Sequence, residues 1–174
     1  MTVIINDANR KTMLRDRDAW QTPPYLYRWL NTRYNFSLDA AASDEHHLNY
    51  NYFTKDNSAL DHKWEHEIAF CNPPYSRGMK QKFIDHAIKQ MDNGTTTVFV
   101  LPNLPSEGWF PSLTASTIIN IKGRVNFINP DTGEISTDVG AGTCIIEFDP
   151  MFRNQTVHRT INRSDIEKLY KATT

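Results

Sequence analysis

The sequence predicts an α/β fold: a mostly parallel sheet flanked by helices, closing with a C-terminal β-hairpin. Three observations predict it. Segments with strand-like apolar patterning alternate with segments at helical spacing. Thr95–Leu101 is β-branched and then continuously apolar, as in a parallel strand buried on both faces. Two predicted strands end in unusual chemistry, Asp39-Ala-Ala-Ala-Ser43 and Asn72-Pro-Pro-Tyr75. In α/β sheets ligands bind beyond the carboxyl ends of strands, so both segments are expected to face one crevice.

The elements follow in order. The first seventeen residues are polar and read as a loose arm. Thr22-Pro23-Pro24 reads as a helix start, Thr22 as N-cap and Pro23 in the first turn, with Leu26, Trp29 and Leu30 at helical spacing behind it. Phe36–Ala40 reads as a short strand and Asn51–Thr54 as a second. Glu67–Cys71 is a strand that two prolines must end. Phe83, Ile84, Ala87, Ile88 and Met91 then line one face of a helix closed by Asn93-Gly94. After Thr95–Leu101, Ser106 is placed to cap a short helix carrying Trp109, Phe110 and Leu113. Thr117–Ile121 is a strand. Arg124–Ile128 and Thr143–Phe148 form the predicted hairpin, across a loop with a turn at Asn129–Gly133. Ser164–Ala172 is a closing helix.

The 174 residues fit one domain and can bury a core without disulfide or metal staples. With 39% hydrophobic and 22% charged residues, the chain is ordinary globular protein rather than disordered. No apolar stretch is long enough to cross a bilayer, and the start lacks the pattern of a signal peptide, so a cytoplasmic protein is expected. Two cysteines, Cys71 and Cys144, make neither a disulfide framework nor a zinc pattern. The net charge of −1 leaves any nucleic-acid partner to be held by local patches. Asp39–Glu67 carries seven acids and two lysines, whereas Met151–Thr174 carries five basic residues and two acids.

Asn72-Pro73-Pro74-Tyr75 is the most informative run. The prolines remove two backbone donors, leaving nearby carbonyls as unopposed acceptors. Asn72 adds a side-chain carbonyl and Tyr75 an aromatic face. Rigid acceptors beside an aromatic plane suit a planar group bearing NH2. Holding both amino hydrogens draws the nitrogen lone pair out of conjugation and leaves it free to attack a methyl group. The protein then contributes positioning and electrostatics without a covalent intermediate.

This run resembles the catalytic motif of amino-group methyltransferases that use S-adenosylmethionine. More of the chain narrows the resemblance. Asp18-Ala-Trp20-Gln-Thr22-Pro23 looks like the DxWxTP opening of phage-type, Dam-like DNA adenine methyltransferases. Phe36–Ser43 resembles their cofactor segment; Tyr52-Phe53-Thr54 with Asp56, Leu60 and Trp64 resembles the stretch before their NPPY motif. Leu101-Pro102, Trp109, and Gly123-Arg124 with Phe127 resemble later landmarks. The resemblance spans about Asp18 to Pro150. It implies a Rossmann-like methyltransferase fold in a single domain over residues 1–174, with no metal. It implies transfer of methyl from S-adenosylmethionine to adenine N6, giving S-adenosylhomocysteine. Trp20, Thr22 and Pro23 would flank the methionine end of the cofactor. Asp39 would bind near its amino group, and Ala40 and Ala41 would allow close approach. Phe53 would pack on its adenine, and Asp56 would accept from the adenine amino group. Asn72, Pro73, Pro74 and Tyr75 would hold the target base, with Tyr75 stacking on it. The usual glycine-rich first loop is absent, and Asp39-Ala-Ala-Ala stands in its place, as in the phage-type enzymes.

A target amino group inside a duplex must be flipped out, at a cost of roughly a few kcal/mol. The expected partner is double-stranded DNA, read sequence-specifically by a monomer or weak dimer in the bacterial host's cytoplasm. The 124–148 hairpin is the candidate recognition element. Arg124, Arg77 and Lys80 are the candidate DNA contacts, with Lys82, Arg153, Arg159 and Arg163 behind them. Other readings stay open: the same chemistry on RNA or on a protein glutamine, or an inactive nucleic-acid-binding protein of the same fold. His62 and His66, four apart, with His46-His47 upstream, lack a third partner for a metal. Cys71 ends a buried strand and reads as packing.

Overall fold

In the computed structural model, which describes residues 18, 20–130, 132–135 and 140–172, strand-like and helical segments build one mixed sheet with helices on both faces. The strands are β1 (Leu38–Asp39), β2 (Ile68–Cys71), β3 (Thr96–Pro102), β4 (Thr117–Lys122), β5 (Thr143–Phe148) and β6 (Val157–Asn162). The helices are α1 (Pro24–Tyr34), α2 (Met79–Gln90) and α3 (Arg163–Ala172). The expected N-terminal arm lies outside the described residues.

The sheet order is β1-β2-β3-β5-β4-β6. The pairs β1–β2, β2–β3 and β4–β6 are parallel, while β5 runs antiparallel to both β3 and β4. Alternate residues of the central strands feed two separate cores, as the two-residue strand period requires. Ala69, Cys71, Phe99, Leu101, Cys144 and Ile146 face Phe83, Ile84 and Ala87 of α2. Phe70, Val98, Val100, Ile119 and Ile145 face Leu26 and Leu30 of α1 and Ile166 of α3.

Several expectations change. Arg124–Ile128 is not a strand of the sheet: only Ile128 makes isolated bridges, to Gln21 and to Ile135. The antiparallel partners of β5 are β3 and β4, so the C-terminal hairpin over 124–148 does not form as predicted. The apolar run of β3 reports burial on both faces and does not distinguish its parallel neighbour β2 from its antiparallel neighbour β5. The helix expected after Ser106 is a series of turns, broken by Gly108 and Pro111, and Leu113 is 88% exposed. Pro23, not Thr22, is the N-cap of α1, and it caps without a side-chain bond. The expected Asn51–Thr54 strand contributes one parallel bridge, Tyr52 to Asp39. β6 was not anticipated: its exposed, mixed-polarity sequence carries no apolar alternation.

Candidate active site

β1 and β2 are parallel neighbours, so the segments that follow them emerge side by side. Leu38 pairs with Ala69 and Asp39 with Phe70, and the Ala40 N–H then donates to the Phe70 carbonyl at 2.8 Å. This places Asp39–Ser43 beside Asn72–Tyr75 at the carboxyl edge of the sheet.

The prolines make Asn72–Tyr75 a backbone that cannot hold itself by its own N–H groups, so its neighbours hold it. The Asn72 side-chain amide donates from Nδ2 to the Trp20 carbonyl at 3.1 Å. That bond fixes which way the amide points and leaves Oδ1 as the acceptor. Pro73 is buried, and Asn72 and Pro74 are half-buried. The Tyr75 hydroxyl donates to the Val100 carbonyl at 3.1 Å. Burial pushes the Tyr75 phenol well above its ordinary value of 10.0, so it stays a neutral donor. The ring is half-buried against the core facing α2, with its hydroxyl end tied inward.

Lys80 is turned inward as well. Its ammonium donates to the Tyr75 carbonyl at 2.7 Å and lies 5.6 Å from the Tyr75 ring centroid and 5.2 Å from that of Trp109. Burial lowers its pKa from 10.5, while the charges of Asp18 and Glu107 oppose that shift. The Asp18 carboxylate accepts from the Ser76 N–H at 2.8 Å. Trp20 and Asp18 therefore both serve the loop after β2 through atoms the sequence reading did not use: a backbone carbonyl and a carboxylate.

The second half of the site is the loop after β1. Asp39 is 3% exposed, and its carboxylate accepts from the N–H groups of Leu48 at 2.9 Å and Ala41 at 3.3 Å. Burial raises its pKa, and the two backbone bonds pull the other way. The chain is tied back on itself by Phe53 N–H to the Asp39 carbonyl and Ala42 N–H to the Phe53 carbonyl, both at 2.9 Å. Phe53 stacks on His62, with centroids 4.8 Å apart and planes 16° apart. His62 is held by Asn57 Oδ1 at 2.8 Å. Asp56 is exposed on the turn closed between Thr54 and Asn57.

Three unpartnered buried polar atoms lie on or next to the pair of backbone bonds that joins the segment before α1 to the segment after β4. Gln21 and Ile128 exchange backbone bonds at 2.9 and 3.0 Å. Gln21 Nε2, Thr22 Oγ1 and Asn126 Oδ1 have no partner. Such groups cost free energy unless a ligand or water satisfies them. Together they offer an amide donor, a hydroxyl and an amide acceptor, a set whose chemistry fits the charged groups of an amino-acid moiety.

Of the candidate DNA contacts, Arg77 and Arg124 are exposed. Arg153 instead pairs with Asp92 at 2.8 Å, and Arg163 with Glu167 at 3.5 Å. Cys71 is fully buried and its thiol is pushed well above its ordinary value by burial, so it stays protonated. Among the described residues no group of three or more His, Cys, Asp or Glu could hold a metal, and no helix is long and apolar enough to cross a membrane.

The class of protein is given by the family to which the sequence belongs. The family model for DNA N-6-adenine-methyltransferase (Dam) matches residues 9–171, and the chain belongs to that family. Among its relatives are two phage proteins, both named DNA N-6-adenine-methyltransferase. The one from Escherichia phage T1 is 30% identical over 148 residues, covering 74% of this chain and 61% of the relative. The one from Haemophilus phage HP1 is 30% identical over 145 residues, covering 80% of this chain and 83% of the relative. The chain thus spans about three-fifths of the T1 protein's length and most of the HP1 protein's.

Proposed function

We propose that this chain is a phage-encoded enzyme of the host cytoplasm that methylates N6 of a flipped-out adenine in double-stranded DNA. It would do so within a specific sequence, on a Rossmann-like scaffold, as a monomer or weak dimer. The observation that carries the reading is the orientation of Asn72. With Nδ2 committed to the Trp20 carbonyl, Oδ1 is left to accept from an amino group. The adjoining Pro73 carbonyl is the second acceptor.

When bound, S-adenosylmethionine supplies an electrophilic methyl group on a sulfonium and leaves as S-adenosylhomocysteine. The chain's own residues do the rest. Thr22, Gln21 and Asn126 offer unpaired polar atoms to the amino-acid end, to which Trp20, Pro23 and Asp39 are also assigned. Ala40 and Ala41 add little bulk next to that end. Phe53 and Asp56 provide an aromatic face and an exposed carboxylate for the adenosine end. Asn72 and the Pro73 carbonyl orient the target amino group and stabilise the positive charge that develops on it. Tyr75 offers its ring to the target base, and Pro74 keeps the loop rigid. Arg77 and Arg124 are the DNA contacts that fit best.

Labelled methyl transfer to unmethylated duplex DNA, RNA and protein in parallel tests the reading. Label in DNA alone supports it. Label in RNA or a protein glutamine moves the same chemistry to another acceptor, and no transfer to any acceptor contradicts it.

A further inference from the structure

One peptide unit of the site is gripped at both polar ends by opposite charges. The Tyr75 carbonyl accepts from the Lys80 ammonium at 2.7 Å, and the N–H of the same peptide, from Ser76, donates to the Asp18 carboxylate at 2.8 Å. The peptide dipole is therefore matched at its negative end by a cation and at its positive end by an anion, each through a charge-assisted bond. One partner is distant in sequence and the other is near. Asp18 lies fifty-eight residues before Ser76 in sequence, and Lys80 comes from the first turn of α2. Gly78 makes the second grip possible. Its φ of +80°, a conformation costly for other residues, turns the chain back so that Lys80 reaches over Tyr75.

We propose that Asp18 and Lys80 act as a charge-paired clamp on the Tyr75–Ser76 peptide, positioning residues that fix the Tyr75 ring for the target base. This rests on the methyltransferase reading above. With the ring's hydroxyl tied to the Val100 carbonyl, the clamp immobilises the other end of the residue. Lys80 also bridges the faces of Tyr75 and Trp109, so it holds two aromatic walls in one arrangement. Asp18 ties the opening segment to the same loop that Trp20 reaches through Asn72. The assignment differs from a phosphate contact, in which Lys80 would point outward and act on DNA affinity.

The test compares wild type with Lys80→Met, Lys80→Arg, Asp18→Ala, Asp18→Asn and the Asp18→Ala/Lys80→Met pair. Initial rates are measured on unmethylated duplex DNA across cofactor and DNA concentrations, and thermal melts confirm folding. The clamp predicts a fall in kcat of tenfold or more for Lys80→Met and Asp18→Ala, with KM for DNA within about threefold. Lys80→Arg and Asp18→Asn, which keep a donor and an acceptor, recover most of the rate. The double variant is little worse than the poorer single one, because both groups hold one peptide. Should either disruptive variant fail to fold, the conservative pair decides: their rates staying near wild type supports the clamp, and their falling as far as a null variant overturns it. A Lys80→Met effect confined to KM for DNA, with a shallower salt dependence of binding, identifies a phosphate contact and overturns the clamp. Unchanged kcat in an active enzyme overturns it too, leaving the methyltransferase reading intact. A wild type that transfers no methyl group to any acceptor overturns that reading, and the clamp with it.

Discussion

Replacing Asn72 by alanine separates what the residue does for folding from what it does for the reaction. The variant loses the 3.1 Å bond from Nδ2 to the Trp20 carbonyl. That is one neutral hydrogen bond at a half-buried position, with a net contribution of about 0.5–1.5 kcal/mol. In a chain of this size such a loss lowers Tm by only about 1–6 °C. On the proposed reading the same substitution also removes Oδ1, the acceptor assigned to the nitrogen on which charge develops. Removing one group of that kind costs about 10²–10³ in kcat, or ~2.7–4 kcal/mol. The catalytic loss is thus expected to exceed the folding loss about twofold or more. Paired assays read both: labelled methyl transfer at saturating cofactor and DNA, and a melt followed by circular dichroism. A folded variant with kcat reduced at least a hundredfold is the expected result. A variant within tenfold of wild type, or one whose lost activity is matched by its lost folded fraction, refutes the role given to Oδ1.

Further outcomes follow from other contacts. Asp39→Ala leaves the Leu48 and Ala41 N–H groups without their acceptor and is expected to weaken cofactor binding at least tenfold, measured by calorimetry. Gln90 is 4% exposed, and its Oε1 accepts from the Trp64 N–H and from Asn93 Nδ2, both at 2.8 Å. Gln90→Ala strands these donors and is expected to cost about 1–3 kcal/mol in urea unfolding. Burial holds the His86 imidazole below its ordinary 6.5, so the unfolded chain takes up a proton in acid that the folded chain resists. Stability contributed by neutral His86 is present above that value and is lost as pH falls through 6.5 towards the folded pKa. Melts at about pH 7.5 and about pH 5.5 should show a smaller Tm drop for His86→Phe than for wild type. Arg77→Ala is expected to weaken DNA binding on all sequences alike and to reduce the salt slope by about 1.

The sequence spoke most clearly where local chemistry is decisive. The apolar face of α2 and the proline break after β2 are written in a few adjacent residues, and the structure follows them; Gly94 ends the helical stretch one 3-10 turn, Met91–Asn93, beyond α2. The neighbouring emergence of Asp39–Ser43 and Asn72–Tyr75 followed from strand-end chemistry, and the β1–β2 pairing places them so. Direction was less legible. β3 and β5 are both buried on two faces, and such runs look the same whether the next strand is parallel or antiparallel. β6 escaped because an exposed edge strand needs no apolar period; its only reason to be a strand is the pairing with β4. Arg124–Phe127 alternates polar and apolar residues, yet the segment spends that pattern on burying Val125 and Phe127 in the core beneath α1 and α3 rather than on a ladder. Lys80 and Arg153 looked like surface cations, because a sequence cannot show that Tyr75's carbonyl or Asp92 waits within reach. The use of Trp20 through its carbonyl is invisible for the same reason: backbone atoms carry no residue signature.

The central claim is that Asn72–Tyr75 presents acceptors to the amino group of adenine in DNA. Mass spectrometry of nucleosides tests it most directly, after the purified chain has acted on unmethylated duplex DNA with isotope-labelled S-adenosylmethionine. The account predicts the labelled methyl group in N6-methyl-2′-deoxyadenosine, abolished by Asn72→Ala. Label in cytosine, or N6-methyladenine formed equally by that variant, would contradict it.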